Sequence, residues 1–315
     1  MSTIAPQSPE ELPDPQPDRT PLGGVLSTVI LEGLDAYPQP DSSATPAELV
    51  AVTEGVPNRP SEEIDAMPDS PEMQENPNVR VERVAYGQPG FSEAQRMEYE
   101  VFRSEGYTDK DPTDPERPRL VEYESRDPYS IYNLLEVRKE VTRRDGSKEN
   151  VWELRSVLRE IHAPALLSDK KKGVVGFKTT DDYEEAGKLF EDWRLHVDSD
   201  PRNVIEIGTA ATPKKFRHKS LGYGARLYHS SFKNADEMGK KTCIASIDDG
   251  LLAYYVNPEK PLFNFVQIGE SLLYMGSPTT PVACDIAALP GMLKEKNPAF
   301  YDVLVKGKIE RLNDM

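Results

Sequence analysis

The chain has 315 residues, of which 37% are hydrophobic and 29% charged, with a formal charge of −16. That length allows one large domain or two small ones. The negative balance argues against nonspecific nucleic-acid binding, and no apolar run approaches the roughly 18 residues of a membrane span, so neither nucleic acid nor a membrane span is expected.

The charge is unevenly placed. Residues 1–90 carry −12 of the −16 charges and 15 of the 28 prolines. Their apolar residues form one short cluster, 22–34. So little apolar surface cannot offset chain entropy. Residues 1–88 are therefore expected to be a disordered, acidic, proline-rich tail, with a transient helix or strand near 25–34. Residues 89–315 are long enough to bury a sizeable core and are expected to form the folded domain. The N-terminus lacks a basic start followed by an apolar core, so no signal peptide is expected and the location reads as cytoplasmic. Cys243 and Cys284 lie in apolar runs and read as buried free thiols. There is no CxxC pair, which suits a reducing compartment.

In chain order, residues 92–106 read as a helix capped by Ser92, with Met97, Val101 and Phe102 on one face and Gly106 as its stop. Residues 108–129, rich in Asp, Pro, Glu and Arg, read as a long loop. Two strand-like runs, 130–141 and 151–162, flank the turn pair Asp145-Gly146 and predict a hairpin. Its charged alternate face is open to solvent or lines a groove. Residues 163–180 are irregular, and Lys170, Lys171 and Lys172 read as a solvated cluster. Residues 180–195 predict a helix with Thr180 as cap and Tyr183, Ala186, Leu189, Phe190 and Trp193 on one face. An apolar strand, 204–211, runs into a basic loop. A helix from Ser220 to about Lys240 follows, with Leu221, Ala225, Tyr228, Phe232 and Ala235 on its packing face. Residues 242–247 are a buried strand. Asp248 or Asp249 caps a short helix, three strands follow at 263–269, 271–276 and 281–287, and a charged helix ends the chain. The class is α/β or α+β, with the 204–247 crossover making its two strands parallel.

The densest chemistry lies at 204–225. Lys214, Lys215, Arg217, His218 and Lys219 crowd the loop before a helix whose first turn holds Gly222 and Gly224. A helix start offers unpaired N–H groups and a positive dipole end. Glycines let a ligand or backbone approach closely. Together they describe an anion cradle, suited to phosphate. Neither a Walker loop nor a GxGxxG dinucleotide motif is present. A basic surface loop with packing glycines is the alternative.

This strand–loop–helix resembles the acyl-CoA-binding motif [Q/R]-x-x-G-x-[G/A] of the GCN5-related N-acetyltransferase (GNAT) superfamily. The motif falls on Lys219, Gly222 and Gly224, with Lys in place of Gln or Arg. Pro213, Phe216 and Arg217 resemble the Pro-x-x-aromatic-Arg run that often precedes it, at a spacing about two residues longer. Either Arg217 or Lys219 is then the phosphate contact. Residues 95–107 are similar to the helical opening of acyl-amino-acid and autoinducer synthases, and Arg155 to their G-x-x-R strand, without its glycine. The tail 265–286 is similar to their closing strands.

The resemblance implies a mixed, mostly antiparallel twisted sheet with a central splayed parallel strand pair and flanking helices. It implies transfer of an acyl group from acetyl-CoA, acyl-CoA or an acyl carrier protein to a small amine, such as an amino acid, without a metal. Pantetheine would lie along 204–211, near Ala210 and Thr212, with a backbone N–H near Ala210 as oxyanion donor. The pyrophosphate would sit among Arg217, Lys219, Ser220, Leu221, Gly222, Tyr223 and Gly224. Glu206, between Ile205 and Ile207, is the candidate base: apolar neighbours raise a carboxylate's pKa. An outward-facing Glu is the alternative. Tyr255 is the candidate acid, with Tyr254 as its rival. His218 reads as part of the basic loop and His229 as a neighbour of the core. The competing function is a catalytically degenerate GNAT-fold protein that uses its acidic tail as a binding arm.

Overall fold

The computed structural model describes residues 76–108, 110–162, 176–217, 222–274 and 277–309. The tail through residue 75, the lysines 170–172 and the loop residues 218–221 lie outside the described residues.

Among the described residues, eight strands form one sheet. β1 (Val79–Ala85) pairs antiparallel with β2 (Ser130–Thr142). It corrects the expected start of the domain, because residues 79–85 belong to the sheet. The local sequence VRVERVA alternates, which suits a half-buried strand. Val79 and Val81 pack on one core, while Arg80 pairs outward with Glu136 at 2.7 Å. β2 and β3 (Lys148–His162) form the expected hairpin, and Gly146 takes φ 83 in the turn, where a side chain would be strained.

β4 (Val204–Ala211) is antiparallel to β3, and β5 (Thr242–Asp248) is parallel to β4. β5 pairs antiparallel with β8 (Ser277–Asp285). β6 (Phe265–Gln267) and β7 (Leu272–Tyr274) share the far edge of β8. The sheet is thus mostly antiparallel around one parallel pair, as the resemblance implies.

Helices cover both faces. On one, α1 (Phe91–Glu105), the 3-10 segment Val121–Tyr129 and α2 (Lys178–Glu185) pack over a core that includes Phe102, Tyr123, Tyr132, Phe177 and Val204. On the other, α4 (Tyr223–Glu237), α5 (Asp249–Tyr255), α6 (Leu289–Lys296) and α7 (Pro298–Leu304) enclose Ile205, Ile207, Tyr228, Tyr255 and Phe263. A single turn, α3 (Lys214–Arg217), precedes α4.

Several expected boundaries move. α1 begins at Phe91 after Gly90 in the left-handed region, so Ser92 is not its cap. The helix expected at 180–195 begins two residues earlier and ends at Glu185. Gly187 takes φ 64, Leu189 bridges to Gly269, and Trp193–Leu195 form only a 3-10 turn. Asp248 caps α5, accepting from the N–H groups of Gly250 and Leu251. Asn297-Pro298 divides the C-terminal helix in two. Among the described residues, no helix is long and apolar enough to cross a membrane.

Candidate active site

β4 and β5 pair over only three positions, Val204↔Thr242, Ile205↔Cys243 and Glu206↔Ile244. Both strands then continue, β4 to Ala211 beside β3 and β5 to Asp248 beside β8. They part after Glu206, and among the described residues the facing edges of Ile207–Ala211 and Ala245–Asp248 have no strand partner. A bulge supports the parting: Arg159 opposes Thr209 and Glu160 opposes Ile207, so Gly208 has no opposite residue. The Tyr123 hydroxyl donates to the Gly208 carbonyl at 2.9 Å. A side chain at Gly208 would meet Ile161 Cδ1 at 3.0 Å and both Arg159 and Tyr123 at 3.3 Å, so the residue must be small.

Glu206 sits where the strands diverge and is 1% exposed, which excludes an outward-facing position. Its carboxylate caps a helix from another part of the chain. Oε2 accepts from Lys178 N–H at 2.7 Å, and Oε1 accepts from Thr179 N–H at 2.8 Å and Thr179 Oγ1 at 2.7 Å. Phe177, the residue before α2, has no side-chain oxygen to serve those first N–H groups. Burial pushes the Glu206 pKa up; its hydrogen bonds to Thr179 pull against that without cancelling it. Across the gap, Ser246 Oγ donates to Thr179 Oγ1 at 3.1 Å.

Beside this cap lies a buried ionic cluster around Tyr123. Arg159 is fully buried; its Nε donates to Glu98 Oε1 at 3.0 Å, Nη2 to Glu98 Oε2 at 2.7 Å and Nη1 to Asp127 Oδ1 at 3.1 Å. Its guanidinium stands 4.7 Å over the Tyr123 ring. Glu98 also accepts from the hydroxyls of Tyr132 and Thr209, tying α1 to β2 and β4. Lys178 pairs with Asp182 at 2.5 Å, and Arg126 with Asp181 at 3.2 Å.

Asp127 within this cluster sets a pH dependence. Burial raises its pKa to about 6, Arg159 opposing and Glu98 adding to the shift. A carboxyl whose native pKa lies above its unfolded value near 3.9 gives full stability below about pH 4, lost as pH rises through about 6. A shift of that size corresponds to about 3 kcal/mol. Asp127→Asn is expected to flatten this segment of the curve in urea unfolding at pH 4 to 7; an unchanged slope would show that Asp127 does not titrate there.

The residues expected to hold an acyl donor fall at the end of β4, on α3 and around the start of α4. Ala210 and Thr212 are buried at the end of β4. Thr212 Oγ1 lies 2.6 Å from Ser156 Oγ, and its carbonyl accepts from Arg217 Nε at 2.9 Å. Arg217 Nη2 pairs with Glu105 at 2.7 Å and Lys214 with the same carboxylate at 3.4 Å. Glu105 ends α1, where the helix dipole disfavours a carboxylate. Two cations offset that cost. Arg155 stacks 4.0 Å over Phe216. Gly222 immediately precedes α4, and a side chain there would meet Ile309 Cγ2 at 2.9 Å. Tyr223 is half-buried and Gly224 buried. Lys219, Ser220, Leu221 and His218 lie outside the described residues.

Tyr255 is buried on the opposite face from Glu206, its hydroxyl 3.5 Å from that of Tyr228 and its ring against Phe263 and Phe265. Burial raises its pKa, so it stays protonated. Tyr254 points outward, 47% exposed. His229 Nδ1 meets the Leu304 carbonyl at 2.6 Å, in the packing of α4 on α7. Cys243 and Cys284 oppose each other in register, both buried with raised thiol pKa values. Among the described residues, no group of three or more His, Cys, Asp or Glu could hold a metal ion. Sequence reasoning missed Thr179, Ser246, Glu98 and Arg159. The one available signal was an arginine inside the apolar run VLREI.

No protein-family model matches the chain, and no curated protein matches it by sequence. Solved structures do resemble it in outline. The CoA-dependent acyl-homoserine lactone synthase BjaI, solved with SAM and isopentyl-CoA, is 14% identical at TM-score 0.46, over 74% of this chain and 90% of that one. The AHL synthase LasI is 11% identical at TM-score 0.44, over 66% and 89%. FeeM, an N-acyl amino acid synthase from uncultured soil microbes, is 16% identical at TM-score 0.39, over 68% and 94%.

Proposed function

We propose that the protein is an N-acyltransferase that moves an acyl group from a thioester, on CoA or an acyl carrier protein, to a small amine. The observation that carries this reading is the parting of β4 from β5 immediately after Glu206. Unpaired strand edges offer N–H and C=O groups to an extended ligand such as pantetheine, in the manner of an added strand. Glu206 lies on the α2 face of the sheet and Tyr255 in the core of the opposite face; in this reading the amine and the thioester approach from opposite sides.

In this mechanism the neutral amine attacks the thioester carbonyl. A backbone N–H near Ala210 stabilises the oxyanion. Glu206 is the base that receives the amine proton, and the Tyr255 hydroxyl protonates the departing thiolate. Arg217 with Lys214, on α3, meets the donor's phosphates, which replace the Glu105 carboxylate as their partner.

Thermal unfolding and calorimetry with CoA, acyl-CoAs of rising chain length and acyl carrier protein test this. A donor at 100 times its dissociation constant should add about 2.7 kcal/mol of stability. Gly222→Asp should abolish that gain, because its side chain must push against Ile309 and shift the start of α4, and it adds a carboxylate near the phosphates. No stabilisation by any donor would refute the reading, and unaltered binding in Gly222→Asp would refute the site.

A catalytically silent platform that binds partners through its acidic tail is the second reading. One observation favours it: both Glu206 oxygens are already occupied by α2. Mass-spectrometric detection of an N-acyl product from donor and an amine panel decides between them.

A further inference from the structure

Glu206 cannot reach an amine directly. It is 1% exposed, and three donors from Lys178 and Thr179 surround its oxygens. A base so enclosed needs an intermediary. Thr179 Oγ1 donates its single proton to Glu206 Oε1 at 2.7 Å, so towards any third group it can act only as acceptor. The group it accepts from is Ser246 Oγ, at 3.1 Å. Ser246 stands on β5 two residues beyond Ile244, the last residue paired with β4, and therefore on the parted stretch of the gap. Thr179 is 2% exposed and Ser246 8%, so bulk water does not compete along the path. Both hydroxyls donate toward the carboxylate.

We propose that Ser246 and Thr179 form a hydroxyl relay that carries the acceptor amine's proton across the β4–β5 gap to Glu206. The proposal rests on the acyl-transfer reading above. As the amine nitrogen forms its bond to the thioester carbon and the carbon–sulfur bond breaks, the nitrogen gives a proton to Ser246 Oγ. Ser246 passes its own proton to Thr179 Oγ1, and Thr179 passes its proton to Glu206 Oε1. The carboxylate becomes a carboxylic acid, both hydroxyls are restored, and the departing thiolate takes its proton from the Tyr255 hydroxyl. Ser246 is thus the residue that touches the acceptor, and Thr179 positions the carboxylate and links the two. The chain requires the acceptor nitrogen to sit on the α2 face of the sheet, against β5.

The test is steady-state kinetics of the full-length protein carrying Ser246→Ala, Thr179→Val or Thr179→Ser, with melting temperatures confirming that each folds. Ser246→Ala leaves every hydrogen bond to Glu206 in place. Its kcat should nevertheless fall by about 10-fold or more with the donor KM unchanged, as loss of a proton-transfer group does. The solvent deuterium isotope effect on kcat should rise as proton transfer becomes limiting. Thr179→Val should behave likewise, and Thr179→Ser should retain most of the rate. Wild-type kcat and isotope effect in folded Ser246→Ala would overturn the relay alone. No transfer by the wild-type protein to any amine would overturn the acyl-transfer reading, and the relay with it.

Discussion

Arg159→Met is expected to cost about 3–5 kcal/mol of folding stability, the range seen when one partner of a buried ion pair is removed. Arg159 is completely buried, and its guanidinium serves both oxygens of Glu98 and one of Asp127. Methionine fills similar volume but leaves Glu98 facing only the hydroxyls of Tyr132 and Thr209. Two hydroxyl donors do not replace a buried cation. Arg159→Lys should recover part of the loss, since one ammonium cannot match a planar fork on two carboxylates. The double variant Glu98→Gln/Arg159→Met should be more stable than Arg159→Met alone, because the uncompensated charge is gone. Urea unfolding of the four proteins measures this. A loss below about 1 kcal/mol for Arg159→Met would show that the cluster contributes no more than a surface pair. The functional consequence is local: Glu98 holds Thr209, so the pair fixes β4 at the bulge three residues beyond Glu206.

Local patterns made part of this architecture readable and long-range partners hid the rest. The hairpin was legible because Asp145-Gly146 and the two alternating runs are contiguous in the chain, all between Ser130 and His162. The β4–loop–α4–β5 crossover was legible for the same reason. β1 was not, because the acid and proline of the preceding stretch dominate its composition, although VRVERVA alternates. Arg159 looked like any charge on a half-exposed strand; its burial depends on Glu98, 61 residues away. The start of α2 was misplaced because its cap is Glu206, 28 residues downstream of Lys178. A helix capped by its own Ser, Thr, Asp or Asn is visible in sequence, whereas one capped from another strand is not. Glu206 itself was legible as an ionisable residue in an apolar run, and its partners were not.

Glu206→Gln separates the two roles that geometry gives this carboxylate. As a cap, it accepts three hydrogen bonds. A glutamine whose oxygen stays near Thr179 keeps two of them and turns its NH2 toward the Lys178 N–H, donor against donor. A buried donor left without a partner costs about 1–3 kcal/mol, so the melting temperature should fall. As a base, the same side chain loses its proton affinity altogether. The rate of amide formation should fall by about 100-fold to 10,000-fold, the usual contribution of a positioned base, while donor binding persists. The two losses have different remedies. Raising the stability of the variant, by saturating donor or lower temperature, restores a cap defect but not a missing base. The wild-type rate should also climb with pH through a carboxyl pKa displaced upward by burial, and Glu206→Gln should remove that limb. A folded Glu206→Gln protein with wild-type kcat would reduce Glu206 to a structural cap. The β4–β5 gap would then hold its donor with the chemistry assigned elsewhere, or with none.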